Sequence, residues 1–326
     1  MRWFVLLLLL SACAPRTPQH DPLEDAKKAL TMPIHRLESY AFDPMVPMSE
    51  RIGNCAGFLV EYYAKMDGRD NYRAYTATPA EKKLLADRIA ELPAGMRAAL
   101  EKKLIGICFI ENFLGNGLTD WVAGPNQDLY ANMVFNPAGF NKTLSQTLTE
   151  RDLSVFKDAA AVKIDAGGKF PGIVYTLLHE ITHAYDYVAG ITPYTEPQIR
   201  YALHGGKGIK VKWDVWDAYY RPKKGADYPL RGKLVFYGLG EGPQLRAAQA
   251  PKLYRQLEGS PFASLYGSQS WGEDVAELHV FYHITEVLRQ PYAITVSDGK
   301  GGSFIVEPMK NRRVRKRAQW LFTQLK

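Results

Sequence analysis

Cysteine is scarce in this chain: three among 326 residues, at Cys13, Cys55 and Cys108, which allows at most one intrachain disulfide. Long apolar runs are also scarce. Trp3–Leu10 is too short to cross a bilayer as a helix, and no later run reaches that length, so no membrane-spanning helix is expected. There is no internal repeat, which argues against a solenoid. There is no nucleic-acid-binding motif either, although the formal net charge is +7 and the pI is near 9.1. Nucleic acid is therefore not an expected partner, and the basic charge favours other anionic surfaces. What remains is an ordinary globular balance, 46% hydrophobic and 23% charged, in a chain long enough for one large domain or two small ones.

The first residues carry an address. Arg2 gives a positive start, Trp3–Leu10 an apolar core, and Leu10-Ser11-Ala12-Cys13 follows. That pattern resembles a bacterial lipoprotein signal. The resemblance implies a signal peptide over 1–12, cleavage before Cys13, and lipidation of its thiol. Ala14 stands where an aspartate would argue for inner-membrane retention, so an outer-membrane address in the cell envelope is favoured. Residues 13–40 read as a lipidated N-terminus and a polar tether with Pro15, Pro18, Pro22 and Pro33. With Cys13 committed to lipid, Cys55 and Cys108 form an even pair in an oxidising compartment. They are either a disulfide, closing a loop of about 50 residues, or two buried thiols.

Residues 41–326 read as a single α+β, mainly helical domain: a helical part over 41–104, a catalytic part over 105–290, and a hairpin with a basic helix over 291–326. Ile52, Cys55, Leu59, Tyr62 or Tyr63, and Met66 recur at three- and four-residue spacing and predict a helix over 49–66. Thr78-Pro79-Ala80-Glu81 is a capping box opening a helix that runs to about Glu91, and Ala94–Leu104 follows as another. Ile105–Ile110, Thr119–Val122, Leu129–Phe135 and Ala159–Ile164 read as strands, and Pro171–Ala189 as a helix. The segment 190–242 is rich in aromatics, among them Tyr219 and Tyr220, which serve either local cores or a substrate groove. Helices over 243–257 and 271–288 precede a hairpin joining 292–296 to 304–306. The last helix carries Arg312, Arg313, Arg315, Lys316 and Arg317, either a solvated face or a contact for anionic lipid or envelope polymer.

His179-Glu180-Ile181-Thr182-His183 lies in the 171–189 helix. Residues four apart sit on one helical face, so both imidazoles can reach one metal ion, with Glu180 placed to work on a water molecule. A third protein ligand is required. Ala189 occupies the position where an extended three-histidine motif would place it, and Asp186 stands where that motif needs glycine, so that class is excluded. His20, His35, His204, His279 and His283 have no diagnostic spacing. Glu273 and Glu277 lie one turn apart on a later helix. One of them can complete the metal set while the other receives the free N–H of a ligand histidine. Asp186, three residues beyond His183, either orients a histidine or is a helix-end acid.

The run His179-Glu180-Ile181-Thr182-His183-Ala184-Tyr185-Asp186, followed by Tyr266 and by Glu273-Asp274-Val275-Ala276-Glu277, resembles the gluzincin-type metallopeptidases related to the catalytic domain of anthrax toxin lethal factor. Gly115-Asn116-Gly117-Leu118-Thr119-Asp120 also resembles a segment of bacterial lipoproteins of this type. The resemblance implies a zincin-like fold with a small sheet beside the active-site helix and one Zn²⁺ on His179, His183 and Glu273. It also implies Glu180 as general base and Tyr266 as a donor to the developing oxyanion. The expected activity is zinc-dependent hydrolysis of peptide or protein substrates by an envelope protein held to the membrane through its lipid. The alternatives are a hydrolase of cell-wall peptide cross-links and a non-catalytic zinc-binding lipoprotein. Two departures stand out. About 90 residues separate the two motifs, more than in the toxin enzyme, and the toxin's target-recognition regions have no counterpart.

Overall fold

The apolar runs of residues 104–135 build the first layer. In a computed structural model that describes residues 27–126, 128–192, 215–238, 242–298 and 301–325, they supply three strands of a five-stranded sheet. Its strands are β1 (Ile52–Asn54), β2 (Arg73–Tyr75), β3 (Leu104–Glu111), β4 (Gly117–Ala123) and β5 (Leu129–Phe135). The order is β1-β3-β5-β4, with β2 also on β3. β3 lies parallel to β1 and β5, while β4 runs antiparallel along β5 as an edge strand. The signal segment, Cys13, most of the tether and residues 193–214 lie outside the described residues.

Both faces of this sheet are covered, which is why β3 and β5 read as unbroken apolar runs. Ile107, Phe109, Met133 and Phe135 enter a large core on one face. Cys108, Ile110 and Val134 enter a smaller one on the other, with Leu59 and Tyr63. Cys55 and Cys108 are joined by a disulfide in that smaller core.

Eight α-helices lie wholly within the described residues: α1 (Gly57–Met66), α2 (Pro79–Ala90), α3 (Ala94–Lys103), α4 (Leu144–Leu153), α5 (Ile173–Ala189), α6 (Ala250–Glu258), α7 (Trp271–Tyr282) and α8 (Arg312–Gln324). The protein is α+β and mainly helical. The capping box at Thr78 is present, with Glu81 N–H donating to Thr78 Oγ1 and Thr78 N–H to Glu81 Oε2. A second sheet, ordered β10-β9-β6, pairs β6 (Val162–Asp165) with the hairpin of β9 (Ala293–Ser297) and β10 (Ser303–Val306). A two-stranded ribbon of β7 (Trp216–Ala218) and β8 (Arg221–Pro222) lies between α5 and α6 in the chain.

The helix expected over 49–66 is shorter than its pattern suggested. Met48–Arg51 is a 3-10 turn, Ile52–Asn54 is strand β1, and only Gly57–Met66 is helical. Ile52 points into the large core from a strand paired in parallel with β3, and Cys55 is held by its disulfide, so both satisfy a helical spacing without belonging to a helix.

Helix α5 is the central element. Ile173, Val174, Leu177, Leu178 and Ile181 are at most 1% exposed. Each buried aliphatic side chain of this kind stabilises by about 1.5–3 kcal/mol before chain entropy is counted. A helix buried nearly all round carries its polar residues at fixed positions. Its entry is tight: a Cβ on Gly172 would lie 1.9 Å from Thr147 Oγ1 of α4, so only glycine fits. It ends at Gly190, whose φ of 67° takes the left-handed conformation that glycine adopts freely.

Candidate metal centre

Helices α5 and α7 pack together and bring three ligand atoms to one point. His179 Nε2 lies 3.0 Å from Glu273 Oε2, His183 Nε2 lies 3.5 Å from the same oxygen, and the two imidazole nitrogens are 3.1 Å apart. Ligands about 2.0–2.1 Å from a tetrahedral ion are separated by about 3.3 Å, so the triangle fits such an ion. The directions fit as well. Glu273 Oε2 is buried and makes no hydrogen bond, although an imidazole nitrogen is at hydrogen-bonding distance. His179, His183 and Glu273 are the one such group of three among the described residues.

The far side of His179 is held firmly. Its Nδ1 lies 3.0 Å from Glu277 Oε1, which also accepts from the Tyr175 hydroxyl at 2.9 Å. Glu277 Oε2 accepts Arg151 Nη1 at 2.7 Å and Ser264 Oγ at 2.5 Å. Arg151 is fully buried, and its guanidinium also binds Asp152. Burial works against charge on Glu277, but Arg151 and His179 hold its carboxyl down at about 2. An ionised Glu277 can only accept, so His179 Nδ1 donates and Nε2 turns toward His183 and Glu273. Burial likewise opposes charge on His179, yet Glu273 and Glu277 raise it to about 10 when no cation is bound. A metal ion held there would displace a proton.

Glu180 faces the opposite side, toward the sheet. Its Oε2 accepts the Thr119 hydroxyl at 2.8 Å, and Thr119 sits on β4. The strand comes this close because Gly117 has no side chain: a Cβ there would lie 2.6 Å from Thr176 Cγ2 on α5. The β4–β5 ladder, extended by Asn136 N–H to Asn116 C=O and Gly124 N–H to Asp128 C=O, turns the even-numbered residues of β4 inward. Gly117, Thr119, Trp121 and Ala123 face outward. Trp121 C=O is taken by His35 Nδ1 at 3.0 Å, and Ala123 is bridged to Arg36, so residues 34–36 cover the far half of the edge. Tyr187 reaches Thr119 C=O at 3.5 Å. Gly117 and the Thr119 N–H remain without a pairing strand among the described residues.

Two hollows flank the triangle. One, of about 300 Å³, is lined by residues including Phe113, Asn116, Gly117, His179, Glu180 and Tyr237. The other, of about 350 Å³, includes Tyr219, Tyr220, Phe236, Gln269 and Glu273. Tyr266 lines both. Its ring lies 5.5 Å from that of His179, and its hydroxyl has no hydrogen-bond partner among the described residues. Burial pushes the phenol well up, so it stays protonated.

The structure thus brings His179, Glu180, His183, Tyr266, Glu273 and Glu277 together. Asp186 accepts the N–H and hydroxyl of Thr192, both at 2.7 Å, where the chain leaves α5. Of the aromatics in 190–242, Tyr219 and Tyr220 border a hollow, whereas Trp216 and Tyr228 are core. Tyr194, Tyr201 and Trp213 lie outside the described residues. Sequence reasoning gave no role to Thr119, Arg151, Tyr175 or Tyr237. Tyr175 had a signal in standing one helical turn before His179, and Thr119 in lying within the Gly115–Asp120 segment. The chain matches no protein-family model, no curated protein and no solved structure.

Proposed function

We propose that this protein is a zinc-dependent peptidase of the gluzincin type, anchored in the cell envelope through lipid on Cys13. The observation that carries the reading is the triangle of His179, His183 and Glu273 with Glu180 beside it. Two imidazole nitrogens and one carboxylate are a donor set suited to catalytic zinc. Zinc held there supplies a Lewis acid for a carbonyl oxygen and lowers the pKa of a water molecule to about 7.

The chain's own residues do the rest. Glu180 takes a proton from the attacking water and returns it to the leaving amine. Thr119 donates to the Glu180 carboxylate and keeps it facing the cleft. The stretch of β4 at Gly117 and Thr119 pairs with an extended peptide by strand addition, which lays a backbone carbonyl across Glu180. Tyr266, protonated and unpartnered, is free to approach that carbonyl from the opposite wall.

Glu180→Gln tests the mechanism. The variant is expected to keep its zinc and lose about 10²–10⁴-fold in peptide hydrolysis. Wild-type turnover by Glu180→Gln would reject the role of Glu180. Glu273→Ala is expected to lose zinc, and metal content equal to wild type would move the third ligand elsewhere. Assaying an unstructured protein beside a muropeptide separates general proteolysis from cleavage of wall cross-links.

A further inference from the structure

Tyr237 has no role in the reading above, and three features single it out. Its φ is 58°, a left-handed conformation in a non-glycine residue, and such strain persists only where the surroundings enforce it. The enforcing contacts are specific. Tyr237 N–H donates to Ser154 Oγ at 3.0 Å, while Ser154 Oγ donates its own proton to Arg151 C=O at 2.6 Å. At the other end, Asn116 Nδ2 donates to the Tyr237 hydroxyl oxygen at 3.2 Å. Asn116 is itself fixed, because its C=O accepts Asn136 N–H in the continuation of the β4–β5 ladder.

The consequence concerns one proton. With Asn116 supplying a donor to the phenol oxygen, the Tyr237 O–H must find an acceptor elsewhere, and none lies among the described residues. Tyr237 and Asn116 line the same hollow as His179 and Glu180. The Tyr237 and Tyr266 rings meet edge-on, 6.1 Å between centroids.

We propose that Tyr237 is a catalytic residue, donating its hydroxyl hydrogen bond to the scissile carbonyl oxygen as negative charge develops there, with Asn116 setting its direction. This rests on the peptidase reading and extends it. The O–H bond is not broken; the phenol remains a phenol throughout, and burial keeps it protonated. A donor aimed before the substrate arrives needs no reorganisation when charge appears. Tyr266 lacks such a brace, so of the two phenols Tyr237 is the one fixed in advance.

The test uses the zinc-loaded full chain with Tyr237→Phe, Asn116→Ala and Tyr266→Phe, compared with wild type and Glu180→Gln. The readouts are zinc content, melting temperature, kcat and KM on one peptide, and the Kd of a phosphinic pseudopeptide of the same sequence measured by calorimetry. Tyr237→Phe is expected to keep its zinc and melting temperature, to lose about 10²–10³-fold in kcat with little change in KM, and to lose affinity for the tetrahedral mimic by a similar factor. Asn116→Ala, which leaves the phenol but removes its brace, is expected to fall between Tyr237→Phe and wild type. Mimic affinity and kcat unchanged in Tyr237→Phe would overturn the proposal, even with Glu180→Gln inactive and the peptidase reading intact. A rise in KM with kcat unchanged would overturn it as well, because a wall residue acts that way. A wild type that neither cleaves peptide nor binds the mimic removes the peptidase reading and this proposal together.

Discussion

Glu277 shows how much of the candidate metal site lies behind its three converging side chains. Its carboxylate collects His179, Tyr175, Arg151 and Ser264 in a space with no access to water. Glu277→Gln still offers an oxygen to His179 but loses the charge that fixes the ring, so zinc affinity is expected to fall by about 10–100-fold. Glu277→Ala does something different. It leaves the Arg151 guanidinium buried with less compensation, and breaking a buried pair from one side costs about 3–5 kcal/mol. Chemical unfolding of the two metal-free variants checks this. Equal stability in both would show that the ion pair matters little to the fold. These roles were only partly legible in the chain. The spacing of His179 and His183 fixes a shared helical face, and Glu273 and Glu277 are one turn apart. No local pattern, however, joins Arg151 to Glu277 across 126 positions. Such contacts are made by packing between elements, and for the same reason neither Tyr237 nor the contact of Thr119 with Glu180 was visible.

At the level of the element, α7 carries more than ligands. Beyond Glu277 it buries His279, and the π-helical turn His283–Val287 that continues it buries His283; both rings are fully shielded. Burial first, and then the neighbouring His283, pushes His279 down to about 3. Burial and then Arg88 push His283 down to about 4, although Glu91 lies 3.8 Å from its Nε2. In the unfolded chain both titrate near 6.5. Above that value neither state is protonated and stability is full. Below it the unfolded chain binds protons that the fold refuses, so stability falls from pH 6.5 toward about 4, by up to about 1.4 kcal/mol per pH unit for each histidine. Denaturant titrations at about pH 7.5 and about pH 5 measure the slope. His283→Gln is expected to remove one histidine's share, and an unchanged slope would show that the two rings are not the acid-sensitive groups. Element boundaries were read well where the signal is local, as at the Thr78 capping box. Helix α4 went unread although Thr143 and Gln146 form the same box at its start. The helix expected over 49–66 holds only from Gly57 to Met66, because a strand entering a core and a helix facing it can share a three- or four-residue spacing.

Across the whole molecule, the site and the disulfide belong to different faces of the five-stranded sheet. The α5–α7 ligands pack against the large core, whereas Cys55–Cys108 sits in the small one. The bond closes 53 positions of chain, worth about 4 kcal/mol by loop entropy. Cys55→Ser with Cys108→Ser is therefore expected to lower unfolding free energy by up to that amount while leaving zinc affinity within about twofold, as checked by denaturation and metal competition. A large loss of zinc affinity would show that the two cores are mechanically coupled. The cover that residues 34–36 place over the far half of β4 has a reach of its own. On the proposed function, the open edge would be to an arriving polypeptide a berth with a stop at one end. At about 3.4 Å per residue, the stretch from Gly117 to Thr119 grips only a few peptide units. On that reading, so short a grip would leave the choice among sequences to side chains settling into the two hollows. A berth of that size would also admit a loop that has frayed only briefly, so on the proposed function a client would not need to be unfolded along its length.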